Sequence, residues 1–105
     1  MEACTFAAVM RTTNEYHSVE VTLERTVYRS VLKEALSKTF IQYPVFKMVM
    51  DSRVLNRMFC KKGCAASIDC KGRTIVFRVC TDLSGRLEAM DFVSSLAEEY
   101  GRLCF

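Results

Sequence analysis

At 105 residues, half of them apolar, the chain carries enough hydrophobic material for one modest core and no second domain. A formal net charge of +3 is too small an excess to imply a nucleic-acid partner. No apolar run approaches the roughly 18 residues of a membrane span. Met1-Glu2-Ala3-Cys4 also opens without the basic region and apolar block of a secretory signal. The six cysteines are accordingly expected as thiols in a reducing cytoplasm.

Ala3–Arg11 is apolar with little charge and predicts a strand, and Thr12-Thr13-Asn14-Glu15 a turn. Tyr16–Leu23 alternates, with Val19, Val21 and Leu23 on one side and Ser18, Glu20 and Thr22 on the other, the period of a half-buried strand. From Thr26 the period changes. Val27, Val31, Leu32, Ala35, Leu36 and Phe40 recur at spacings that predict an amphipathic helix with Thr26 as its N-cap. Pro44 forces that helix to end, since the residue before a proline is pushed out of the helical region. Val45–Met50 then reads as a short buried strand, and Val54–Cys60 fits neither period. Ala65–Asp69 and Thr74–Cys80 flank Cys70-Lys71-Gly72-Arg73, whose Lys-Gly centre suits a hairpin. In the second of these strands Ile75, Phe77 and Val79 face one way, and Thr74, Val76, Arg78 and Cys80 the other. Leu87, Met90, Val93, Leu96, Ala97, Tyr100 and Leu103 mark a second amphipathic helix. The order predicts an α/β (α+β) two-layer sandwich, with two helices on one face of a mostly antiparallel sheet.

Two segments resemble the condensation-domain, chloramphenicol-acetyltransferase and alcohol-acetyltransferase superfamily. The first runs from Val27, Leu32, Ala35 and Leu36 to Tyr43-Pro44-Val45-Phe46, and is similar to that family's first helix and the core strand after it. The second joins Thr74–Val79 to Cys80-Thr81-Asp82-Leu83-Ser84-Gly85, then Ala89, Phe92 and Tyr100, where the family has its His-x-x-x-Asp-Gly motif. The resemblance covers residues 16–103 and implies that residues 1–105 form one acyltransferase-like half domain. It puts Cys80 at the general base and Ser84 at the aspartate that the family uses in a structural salt bridge. Gly85 alone is retained, with a tight turn as its expected role. A thiol is a poor base, Ser84 forms no ion pair, and the one histidine, His17, sits in another strand.

The other readings of these residues are bland. Cys80 as a nucleophile needs a neighbouring base or positive field; Arg78 is on the same strand face, and sequence does not place His17 beside it. Cys60, Cys64, Cys70 and Cys80 would be the ligands of a thiolate metal site, but they lack the paired Cys-x2-Cys knuckle of structural zinc. Lys61, Lys62, Lys71, Arg73 and Arg78 gather positive charge that would suit the phosphates of coenzyme A; without interleaved aromatics they read as a solvated edge. The expectation is a non-catalytic domain with a degenerate active site, serving as an interaction or regulatory module or binding an acyl or coenzyme-like ligand through Arg78 and Cys80. The alternatives are an acyltransferase fragment completed by a second chain, and a cysteine-rich metal module. No resident cofactor is expected; the partner is a protein or a second copy, and the Cys80–Gly85 loop with its neighbouring sheet surface is the expected contact.

Overall fold

The computed structural model describes residues 6–59 and 65–104. Their order is β1 (Phe6–Thr12), β2 (Tyr16–Leu23), α1 (Arg29–Thr39), α2 (Pro44–Asp51), α3 (Arg53–Phe59), β3 (Ala66–Lys71), β4 (Thr74–Cys80) and α4 (Arg86–Cys104). The four strands form one antiparallel sheet in the order β1-β2-β4-β3, so two hairpins meet along β2 and β4. The result is the expected α+β sandwich, with four helices among the described residues instead of two.

Alternation decides which face is covered. His17, Val19, Val21 and Leu23 of β2 and Ile75, Phe77 and Val79 of β4 are buried beneath the helices. Ser18, Glu20, Thr22, Val76 and Arg78 point to the opposite face, which is polar enough to meet water, as antiparallel sheets allow. α4 lies across β1, β2 and β4 and packs against α1, while α2 reaches β3. At the centre Phe46, Phe77 and Phe92 interlock with centroid separations of 4.7 to 5.5 Å, and Phe40 and Tyr43 close over Phe92. Such ring pairs add about 0.5–1.5 kcal/mol each beyond their buried area.

Val45–Met50, expected as a strand, is helical. Pro44 occupies the first turn of α2, where a missing N–H costs nothing and a fixed φ favours the helix. Phe46 and Val49, three apart, turn inward, and Val45 and Met48 are exposed. The unassigned Val54–Cys60 stretch contributes α3 as far as Phe59. α1 starts three residues after the expected Thr26 cap. The Val27 amide donates to the Gly72 carbonyl and the Tyr28 amide to the Tyr100 hydroxyl, both at 2.8 Å, which holds this segment out of the helix. α1 ends at Thr39, with the turn Phe40–Tyr43 before the proline. In the β3–β4 hairpin Lys71 pairs with Thr74, so the loop is Gly72-Arg73, one residue later than expected. Gly72 has φ +59° at the first loop position, as a type II′ turn requires.

Candidate functional site at the Cys80–Gly85 turn

β4 delivers Cys80 to one end of the sheet, and the chain turns there into α4. The Cys80 carbonyl accepts the amides of Leu83 and Ser84 at 2.9 and 3.2 Å, which closes the turn. The turn is then tied to its surroundings. The Cys80 amide donates to Ala65, and the Thr81 amide and hydroxyl donate to the carbonyls of Glu15 and Asn14 at 2.9 and 3.1 Å.

The described residues of the motif each have a definite place. Cys80 is 4% exposed although alternation assigns it to the open face; it stands at the end of β4, opposite Tyr16 and bonded to Ala65. Ser84 is 5% exposed, with its hydroxyl 2.9 Å from a Glu88 carboxylate oxygen and 3.1 Å from the Gly85 carbonyl. That hydroxyl ties the turn to the first turn of α4. Gly85 accepts the Ala89 amide and begins the helix. The tight-turn role expected of it is corrected: its φ is not left-handed, and a Cβ there would meet nothing within 4 Å.

His17 is buried on the helix-covered face, its Nδ1 3.1 Å from the Thr12 hydroxyl. Its strand partner is Val79, not Cys80, so alternation puts the imidazole and the thiol on opposite faces of the sheet. Arg78 is exposed, with its guanidinium carbon 4.4 Å from the centroid of the Tyr16 ring. A cation–π contact of this kind is worth about 0.5–1 kcal/mol at an exposed site.

The four-thiolate reading falls partly outside the described residues, where Cys60 and Cys64 lie. For the other two the structure is decisive. Cys70 pairs with Ile75 on the covered face, and Cys80 lies five positions further along β4 on the other face. That is about 17 Å of strand, against a zinc–sulfur bond of about 2.3 Å. Of the basic cluster, Lys61 and Lys62 also lie outside the described residues; Lys71 and Arg73 are exposed at the hairpin end.

Two residues with structural consequences gave weaker signals. Asn56, in the stretch that matched neither period, donates its side-chain N–H to the Val49 carbonyl at 2.6 Å and accepts the Ala66 amide at 3.1 Å. Tyr100 fits its helix as an apolar residue, yet a buried phenol demands partners. Its hydroxyl accepts the Tyr28 amide and donates to the Thr26 carbonyl. Burial pushes this phenol up to about 12, with the Tyr28 amide opposing and a hydrogen bond with Cys104 adding to the shift.

Small cavities are found among the described residues. One of about 120 Å³ lies beside Tyr43, Pro44, Phe46 and Glu88, and one of about 150 Å³ between Leu23, Thr26, Tyr28, Tyr100 and Cys104. Pockets that enclose drug-sized ligands run from about 300 to 1,000 Å³. Large apolar side chains are exposed elsewhere among the described residues: Val9, Tyr28, Ile41, Val45, Met48, Val54, Met58 and Leu87 are between 49 and 83% exposed. No helix among the described residues is long and apolar enough to cross a membrane. No family model matches the chain, and no curated protein or solved structure matches it.

Proposed function

We propose that this is a non-catalytic acyltransferase-like domain of a reducing cytoplasm that works as an interaction or regulatory module, with a protein or a second copy as its partner. One observation carries the reading. The two motif positions that the resemblance replaces are spent on architecture: Ser84 is buried against Glu88 and Cys80 is buried at the end of β4, while His17, outside the motif, bonds Thr12 on the neighbouring strand. No base is therefore aimed at an acceptor from the motif. The two cavities lined by Tyr43, Pro44 and Phe46 and by Leu23, Tyr28 and Tyr100 are each smaller than a pocket that encloses a drug-sized ligand.

The test is acetyl transfer from acetyl-coenzyme A to simple alcohols and amines, which is expected to stay at background. Turnover that disappears in Cys80→Ala would overturn the proposal and favour an active fragment completed by a second chain.

A further inference from the structure

The register of the sheet determines which backbone groups remain at its two edges. The Thr13 amide donates to the Tyr16 carbonyl at 2.8 Å. The bonded pairs of an antiparallel ladder recur every second residue. β1 therefore bonds β2 through Arg11 with Ser18, Val9 with Glu20, and Ala7 with Thr22. The other ladder agrees: the amides of Leu23 and Thr81 donate to the carbonyls of Arg73 and Glu15, which commits the odd residues of β2 to β4. The N–H and C=O of Phe6, Ala8, Met10 and Thr12 are left pointing away from the sheet, with no main-chain partner among the described residues.

A free edge of this kind is a template for another strand. This one is apolar, has Arg11 as its single charge, and carries Val9 at 56% exposure on the open face. Resting on the interaction-module reading, we infer that β1 is a self-association edge whose occupant is the β1 strand of a second copy of this chain. The two copies pair antiparallel about a two-fold axis through Met10. Met10 then stands opposite Met10 of the second copy, and Ala8 opposite its Thr12. Ala8, Met10 and Thr12 are thereby matched in register, each pair exchanging two hydrogen bonds, and Phe6 lies beyond the paired segment.

The side chains fit the same axis. Val9 comes opposite Arg11 of the second copy, whose methylene stem covers it, and the two arginines are not directly opposed. On the other face the half-buried Ala8 and Met10 gain cover, and methionine adapts its shape to such a contact. Isologous two-fold pairing is the commonest arrangement for identical chains. It joins two four-stranded sheets into one and keeps the helices of both copies on the same side.

The experiment is sedimentation velocity of the whole chain from low to high micromolar concentration, with residue-resolved amide exchange at both ends of the range. The expected result is a concentration-dependent dimer in which the amides of Ala8, Met10 and Thr12 gain protection. Ala8→Pro removes an outward N–H and leaves the β1–β2 ladder intact, as proline on an edge does. Val9→Lys places a cation opposite Arg11 of the second copy, and pairs with Glu20 inside its own chain. Each variant should stay folded by circular dichroism and raise the dimer dissociation constant at least about tenfold. A monomer at every concentration overturns the inference. So does a dimer whose three amides exchange as in the monomer, or one that folded Ala8→Pro and Val9→Lys leave unchanged. A monomer without acetyl transfer sinks the edge alone, and a dimer with Cys80-dependent transfer sinks the functional reading alone.

Discussion

The two edges of this sheet come from hairpins of similar size and are finished in opposite ways. On β3 the residues whose main-chain groups point outward are Ala66, Ile68 and Cys70, because Lys71, Asp69 and Ser67 bond to β4. Two of those three amides have a side-chain acceptor: Asn56 takes Ala66, and Asp69 takes Cys70 at 2.8 Å. On β1 the equivalent amides of Ala8, Met10 and Thr12 have none among the described residues. One carboxylate of β3 itself and one carboxamide brought by α3 thus occupy two of the three outward amides of this edge. The turns differ in parallel. Gly72 supplies a left-handed residue at the β3–β4 turn, whereas the Thr13 hydroxyl accepts the amides of Glu15 and Tyr16 at 3.2 and 3.1 Å.

The largest effect in this comparison is expected at Asn56. Asn56→Ala deprives the Val49 carbonyl and the Ala66 amide of partners in a half-buried place. Two lost bonds at about 1 kcal/mol each put the destabilisation near 2 kcal/mol in denaturant unfolding. The variant also opens β3, so assemblies larger than a dimer should appear at high concentration. A stable variant that stays dimeric would mean that the edges are not distinguished by their amide acceptors.

Gly72→Ala should come next, at about 1–2 kcal/mol. Nothing lies within 4 Å of the added Cβ, so the loss is left-handed backbone strain at φ +59° and not a clash. Gly72→Asn should recover part of it, because asparagine tolerates this region better. If alanine were neutral, the glycine would not be what sets this turn apart from the Thr13 turn.

The extent to which the sequence foretold these features follows the physics of each. Tyr16–Leu23 and Thr74–Cys80 were readable because one face is buried and the other wet, which writes the period into the residues. Pro44–Asp51 was not, since a one-sided apolar run of that length fits a strand or a two-turn helix, and only contact with Phe77 and Phe92 decides. The start of α1 was hidden for a related reason. Thr26 is an acceptable cap locally, but the amides of Val27 and Tyr28 are claimed by Gly72 and Tyr100, distant in the chain. At the Cys80–Gly85 turn, the identities of Cys80 and Ser84 were legible but their burial and the Glu88 contact required the fold. Edge accounting depends on register, and sequence alone does not print it.

The smallest effect tests the edge idea most selectively. One carboxylate oxygen of Asp69 accepts both the Cys70 amide and an Arg29 N–H, the latter at 3.2 Å between side chains that are 75 and 70% exposed. An ion pair so exposed contributes between about 0 and 1 kcal/mol and is screened by salt. Asp69→Asn keeps an oxygen for the amide and loses the charge; Asp69→Ala loses both. Neither should shift global stability by more than about 1 kcal/mol. Their effects on the edge should separate, because what occupies an outward N–H is an acceptor and not a net charge. The Cys70 amide should therefore exchange faster in Asp69→Ala and stay near the parent rate in Asp69→Asn. Raising the salt concentration should change neither ordering. If the asparagine variant exposes the Cys70 amide as fully as alanine does, the charge is the guard. The contrast between β1 and β3 would then rest on electrostatic repulsion of an incoming strand and not on hydrogen-bond occupancy.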